Sequence, residues 1–167
     1  MKNNYHSVTY ADKPNVLRKS SAFSRPIFEE MAQRYPKIEA HIANVDAVAM
    51  HLVTKPQSLG VIVTENMFGD IISDEASVLS GSLGMSPSAS FGTKTALFEP
   101  IHGSYPQAAG KDIANPTGAV LSAAMMLDHF GMTEEARVVR EAVQWTLENN
   151  FVTKDIDPVN FYFTSTI

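Results

Sequence analysis

The stretch "LGVIVTENMFGDIISDEASVL", Leu59 to Leu79, passes within a few residues from an unbroken apolar run to a helical pattern. Leu59 to Thr64 has the composition of a strand buried on both faces of a parallel sheet. From Asn66 onward, Phe68, Ile71, Ile72, Ala76 and Leu79 share one side of a helix, while Asn66, Asp70, Asp74 and Ser77 share the other. A strand of this kind followed directly by a helix makes an α/β fold the expectation. Within the helix, Asp70 and Asp74 stand one turn apart with the same sign of charge, an arrangement that costs an isolated helix roughly 0.2–0.5 kcal/mol.

Two readings of that pair stand on pattern alone. One is a solvated helix face with acidic residues near its N-terminus, which the helix dipole favours. The other is a hard divalent cation, Mg²⁺ or Mn²⁺, which takes carboxylate oxygens along with water and substrate oxygens and cancels the repulsion. Asp46, at the end of another strand-like segment, is a candidate third ligand.

Outward from this stretch the remaining elements follow from local pattern. "HSVTY", His6 to Tyr10, is strand-like and runs into the charged pair Asp12-Lys13, where a turn is expected. Phe23, Ile27, Phe28 and Met31 give helical spacing over about 20–35, with Ser24 as a candidate cap before Pro26. Ile38, Ala40 and Ile42 alternate with polar residues in a strand leading to Asp46, and "AVAMHLVTKP" reads as a helix ending before Pro56. The Gly-, Ser- and Pro-rich segment Ser80 to Thr93 reads as loop or hinge and as the candidate domain boundary. "ALFEPIHG" is a strand with Glu99 and His102 at its exit, and "SYPQAAGKDIANP" is a loop with one helical turn. Two helices follow: 116–130, apolar nearly all round and therefore expected to be buried, and 134–149, amphipathic. The final "VNFYFTSTI" is strand-prone.

Composition narrows the function. The chain has 167 residues, 44% hydrophobic and 19% charged, a profile of ordinary globular domains. It has no cysteine, so disulfides, thiolate metal sites and thiol nucleophiles are excluded. A net charge of −5 with scattered basic residues argues against nucleic acid and anionic membrane as partners and favours a small molecule. No signal-peptide core or membrane-length apolar window occurs, and a cytoplasmic location is expected.

The segments "NMFGDIISDEASVLSGSLGMSPSAS", "DKPNVL", "NVDAVAMHLV", "LFEPIHGS" and "GKDIANPTGAVLSAAMML" together resemble, in order and over nearly the whole chain, the metal-dependent β-decarboxylating dehydrogenases. The family so resembled is that of the isocitrate/isopropylmalate dehydrogenases, and the resemblance is specifically to the 3-isopropylmalate dehydrogenases of leucine biosynthesis. The resemblance implies that fold in incomplete form, with the amino-terminal part and the last elements absent. Residues 1–82 would belong to the central dimerisation and metal-site domain, and 83–167 to the cofactor-binding domain.

It also implies a reaction and a site. Members of the family oxidise a 2-hydroxy acid carrying a 3-carboxylate, pass hydride to a nicotinamide cofactor and release CO₂. By resemblance Asp70 and Asp74 are metal ligands from one subunit, Asp46 reaches the metal from a second, and Lys13 assists proton transfer at the substrate hydroxyl. The site thus implies a homodimer. "EPIHGSYPQAAGKDIANP" matches the nucleotide loop, placing Glu99, His102, Gly103, Ser104, Gln107 and Asn115 at the cofactor. No G-x-G-x-x-G occurs, so the Rossmann phosphate motif contributes nothing to this assignment. Where many NAD-linked members carry an aspartate, this chain has Gln107, which can bond a ribose hydroxyl without the charge that repels a 2′-phosphate. NAD is the expected cofactor.

Family subunits are about twice this long, and their amino-terminal part supplies arginines for the substrate carboxylates and a tyrosine acid. The 167-residue chain is therefore expected not to turn over substrate alone. The alternatives are a non-catalytic dimerisation or interaction fragment, one half of a split enzyme that pairs with a separate amino-terminal half, and a related isocitrate or tartrate dehydrogenase.

Overall fold

The computed structural model of the chain describes residues 6–157 and divides it into two compact units, Met1–Ala76 and Ser77–Ile167. The strand-prone final segment "VNFYFTSTI" lies outside the described residues.

The first unit is a doubly wound α/β layer. Strand β1 (Ser7–Asp12) pairs in parallel with β2 (Glu39–Asn44) on one side and with β3 (Val61–Thr64) on the other, giving the order β2-β1-β3. Helix α1 (Arg18–Arg34) connects β1 to β2, and α2 (Val45–Thr54) leads from β2 across to β3, after which α3 (Asn66–Leu79) begins. Right-handed crossovers that run in opposite directions across a sheet place their helices on opposite faces. The side chains agree: Ala11, Ala43 and Ile62 turn toward Val48 and Leu52 of α2 and Ile72 of α3, where the buried core lies. Tyr10, one residue along and on the other face, stacks on Phe28 of α1 at 5.2 Å between ring centres.

Three local expectations are corrected here. Ser24 does not cap α1; its hydroxyl donates to Ser20 O at 2.7 Å inside the helix, which begins at Arg18 and contains Pro26. Asp46 sits in the first turn of α2 and not in the strand before it. Strand β3 is covered well on one face only, since Val61 and Val63 are 46% and 44% exposed.

In the second unit, β4 (Pro87–Phe91) and β5 (Ala96–Pro100) form an antiparallel pair against α4 (Thr117–His129), which packs on α5 (Thr133–Glu148). The segment expected as loop thus contains a 3₁₀ turn at Leu83–Met85 and a full strand, with Pro87 at the strand's first position, where the missing N–H is tolerated. Helix α4 is buried only along Gly118, Ser122 and Ala124, not all round. The buried line includes a close approach: a Cβ on Gly118 would lie 2.9 Å from Ser86 O and 3.0 Å from Gly84 O.

Candidate active site

The carboxyl ends of β1, β2 and β3 lie at the same end of the parallel sheet, where the first crossover runs outward from β1 to β2 and the next returns past β1 to β3, a reversal of direction of the kind at which open α/β sheets bind ligands. Lys13 follows the end of β1, and its Nζ lies 2.7 Å from Oδ2 of Asp46 in the first turn of α2. The Lys13 hydrogen bond holds the Asp46 carboxyl below its ordinary pKa. The helix dipole favours the same ionised form.

What fixes Lys13 is Asp12, which closes strand β1 at the point where the sequence predicts a turn. Asp12 is 3% exposed. Its Oδ1 accepts the Lys13 amide at 2.7 Å and the Ser21 hydroxyl at 2.6 Å, and its Oδ2 accepts Arg25 Nε at 2.8 Å. Burial alone would raise its pKa; the Ser21 and Arg25 hydrogen bonds outweigh that and hold it below the ordinary carboxylate range. Helix α1 has no side-chain cap bond at Leu17, so this carboxylate, with the Lys13 carbonyl accepting from Val16 and Leu17 at 2.9 Å, ties the helix entry to the strand end.

Asp70 and Asp74 stand exposed one turn apart on α3. Asn66 Nδ2 lies 3.3 Å from Asp70 Oδ2. Glu65 starts the helix, its two carboxylate oxygens accepting the Met67 and Phe68 amides at 3.0 and 2.7 Å, a capping role for a residue type outside the usual Ser, Thr, Asp and Asn signals. Of the apolar side expected for this helix, Ile72 is buried but Ile71 is 60% exposed. Among the described residues no three carboxylate or histidine side chains come together so as to hold a metal, so Asp46 does not join Asp70 and Asp74 within one chain. The two helix aspartates offer only oxygen donors, which suits Mg²⁺ or Mn²⁺, and leave the other coordination positions to further groups.

The nucleotide-loop candidates all lie in the second unit. Glu99 is inside β5, opposite Ser88, and not at its exit; His102, Gly103 and Ser104 follow the strand. His102 Nδ1 lies 2.9 Å from Gly103 O, and a Cβ built on Gly103 would meet nothing within 4 Å. Gln107 is exposed within the 3₁₀ turn Pro106–Ala108. Asn115 is the most constrained member: its Oδ1 accepts the Thr117 amide at 3.0 Å at the start of α4, and its Nδ2 donates to Asp155 Oδ2 at 3.0 Å. Asp155 also accepts the Ser82 hydroxyl. Burial pushes the Asp155 carboxyl up, and the Ser82 and Asn115 hydrogen bonds bring it below its usual value. Nothing in the local pattern marked Asp155, whose partners lie 73 and 40 residues away in sequence.

Comparison with known proteins bears on both halves of this arrangement. The family model for isocitrate/isopropylmalate dehydrogenase matches residues 1–167. The chain is 51% identical over 167 residues to 3-isopropylmalate dehydrogenase of Thermotoga maritima, covering 98% of this chain and 47% of that one. It is 49% identical over 156 residues to homoisocitrate dehydrogenase of Methanocaldococcus jannaschii, covering 93% and 45%. Among solved structures it superposes on an isocitrate dehydrogenase from Methylococcus capsulatus with a TM-score of 0.91 and 42% identity, over 95% of this chain and 47% of that one. The chain thus spans under half the length of these relatives. A family match over the entire chain and identity near one half settle its membership: this chain belongs to the isocitrate/isopropylmalate dehydrogenases.

Proposed function

We propose that the chain is the carboxy-terminal portion of an NAD-dependent 3-isopropylmalate dehydrogenase that works in leucine biosynthesis in the cytoplasm, and that it carries the metal-binding part of the active site. The observation that carries this reading is the 2.7 Å contact of Lys13 with Asp46 at the carboxyl ends of the strands, in a chain of this dehydrogenase family. In this reading Asp70 and Asp74 of one copy and Asp46 of a second hold Mg²⁺ or Mn²⁺. The bound cation supplies Lewis acidity toward the hydroxyl and carboxylate oxygens of the 2-hydroxy acid.

Lys13, positioned by Asp12, assists proton transfer at the substrate hydroxyl, taking the hydroxyl proton only in the amine form, after its own ammonium proton has left. His102, Gly103, Ser104 and Asn115 seat the dinucleotide that takes the hydride, Gln107 meets the adenosine ribose, and Glu99 lies beside it. Residues 1–82 act as the dimerisation and metal-site domain and 83–167 as part of the cofactor domain.

Sharing of the site between copies is supported by apolar side chains that the core leaves uncovered on α2 and α3. Met50 of α2 is 55% exposed, and Ile71 of α3, next to Asp70, is 60% exposed. Such side chains on helices already anchored by Val48, Leu52 and Ile72 suit a helix-to-helix interface.

The groups that would bind the substrate carboxylates belong to the half of the fold that this chain does not span. Co-expression with an amino-terminal half of the fold, followed by assay of NAD⁺ reduction with 3-isopropylmalate, isocitrate and tartrate, tests the reading. Turnover with 3-isopropylmalate in the assembled protein, and none in the isolated chain, is expected. Turnover by the isolated chain, or a preference for isocitrate or tartrate, contradicts it, and assembly without turnover favours an interaction fragment.

A further inference from the structure

Three separated parts of the second unit meet at one carboxylate. Asp155, in the segment after α5, accepts the Ser82 hydroxyl and Asn115 Nδ2 on the same oxygen, Oδ2, the latter at 3.0 Å. Each donor uses its remaining polar function to cap a helical turn. Ser82 Oγ accepts the Gly84 amide at 3.1 Å where the 3₁₀ turn begins, and Asn115 Oδ1 accepts the Thr117 amide at 3.0 Å where α4 begins. The packing is equally close: a Cβ on Gly84 would lie 2.8 Å from Asn115 Cβ and 3.3 Å from Asp155 Oδ2, so only glycine leaves room for the contact. The segment itself is anchored by Val152, which is buried, and by Phe151, whose ring stacks on Trp145 with centres 5.7 Å apart.

The chemistry of the three groups decides which of them directs the others. A hydroxyl can turn and a side-chain amide can be placed either way round, but an ionised carboxylate only accepts. Asp155 is held in that form, because its hydrogen bonds outweigh the effect of burial. It therefore draws the Ser82 proton and the Asn115 amino group toward itself, and leaves Ser82 Oγ and Asn115 Oδ1 facing the backbone amides they cap. The planar Asn115 amide has one N–H left for a ligand, and its direction is set by the N–H that Asp155 holds. We infer that Asp155 is a positioning residue of the dinucleotide seat, acting through Asn115 by fixing its amide and the start of α4 against the Ser82 turn.

This deepens the proposed function and rests on its reading of Asn115 as a cofactor residue. The test is NAD⁺ titration of the 167-residue chain and its variants, followed by the fluorescence of Trp145, which stacks on Phe151 of the Asp155 segment. Asp155→Ala is expected to weaken NAD⁺ binding about tenfold, and Asp155→Asn, which keeps a neutral acceptor oxygen, about threefold. Neither loss should recur in an Asn115→Ala background, because Asp155 then has no amide to orient. Hydrogen exchange at the Thr117 amide, read without cofactor, should quicken about tenfold in Asp155→Ala. Circular dichroism checks that each variant folds, and if Asp155→Ala does not, the Asp155→Asn cycle decides. NAD⁺ affinity unchanged in a folded Asp155→Ala chain, or losses that simply add to that of Asn115→Ala, would overturn the inference while leaving the proposed function intact. A parent chain that binds no NAD⁺ contradicts the cofactor seat itself, and this inference falls with it.

Discussion

Lys13 Nζ meets Asp46 Oδ2 at 2.7 Å, joining the end of β1 to the first turn of α2. This ion pair depends on a second, buried one. The Asp12 carboxylate takes the Lys13 amide, the Ser21 hydroxyl and the Arg25 guanidinium, and so fixes the backbone from which Lys13 reaches out. The exposed pair adds little stability by itself. The buried carboxylate is where energy is at stake.

Asp12→Ala should destabilise the first unit by roughly 3 kcal/mol, since it leaves Arg25 and Ser21 without their acceptor, although Arg25's partial exposure moderates the cost. The pH dependence has a definite sign. Because the folded-state pKa is lowered, the Asp12 contribution is fully present above the unfolded value near 3.8 and is lost as pH falls through the lower folded value. Urea unfolding from pH 6 down to pH 2 should show an acid-sensitive component that Asp12→Asn removes.

On the proposed sharing of the site between two copies, Met50→Asp with Ile71→Asp should shift the chain from dimer to monomer while leaving its helical content unchanged, because both side chains are mostly exposed in the single chain. Sedimentation equilibrium reads the mass directly. Burial of apolar interface side chains typically concentrates the binding energy in a few such positions. A loss of at least tenfold in dimer affinity, about 1.4 kcal/mol, is expected.

Much of this architecture was legible in the sequence, and the misses have physical causes. The parallel strands and the helices near 45–54, 66–79, 117–129 and 133–148 followed from periodicity, because the spacing of apolar residues reports the local backbone geometry whatever covers them. Strand β4 was hidden because Gly, Ser and Pro signal a loop locally, whereas pairing of Pro87–Phe91 with Ala96–Pro100 is a tertiary event. Asp12 was hidden because its partners Ser21 and Arg25 lie on the following helix and meet it only when α1 folds back on the sheet. Ile71 read as core because a helical wheel records which side is apolar and not what covers it. The candidate metal and cofactor residues were found by family resemblance; local pattern had left Asp70 and Asp74 open between a solvated face and a cation site.

Gly118→Ala should destabilise the second unit by about 1–3 kcal/mol, because the added methyl meets the carbonyl oxygens of Ser86 and Gly84 at 2.9 and 3.0 Å. Gly103→Ala, where an added Cβ meets nothing within 4 Å, is the matched control and should leave the unfolding free energy within about half a kcal/mol of the original.

Gln107→Asp should raise the preference for NAD over NADP by on the order of tenfold, about 1.4 kcal/mol, by placing a negative charge where a 2′-phosphate would lie. Gln107 is exposed on its 3₁₀ turn, so the substitution should not alter the fold. Dinucleotide titration of the assembled protein, followed by Trp145 fluorescence, measures both affinities.

The most direct measurement is thermal unfolding of the 167-residue chain with and without Mn²⁺, beside Asp70→Ala with Asp74→Ala. A cation that binds only the folded protein raises its stability, by about 2.7 kcal/mol at one hundred times its dissociation constant. A higher midpoint with Mn²⁺ in the native chain, absent in the double variant, is the result expected of a cation site built on the two α3 carboxylates. An unchanged midpoint in the native chain, or an increase that survives loss of both aspartates, would contradict it.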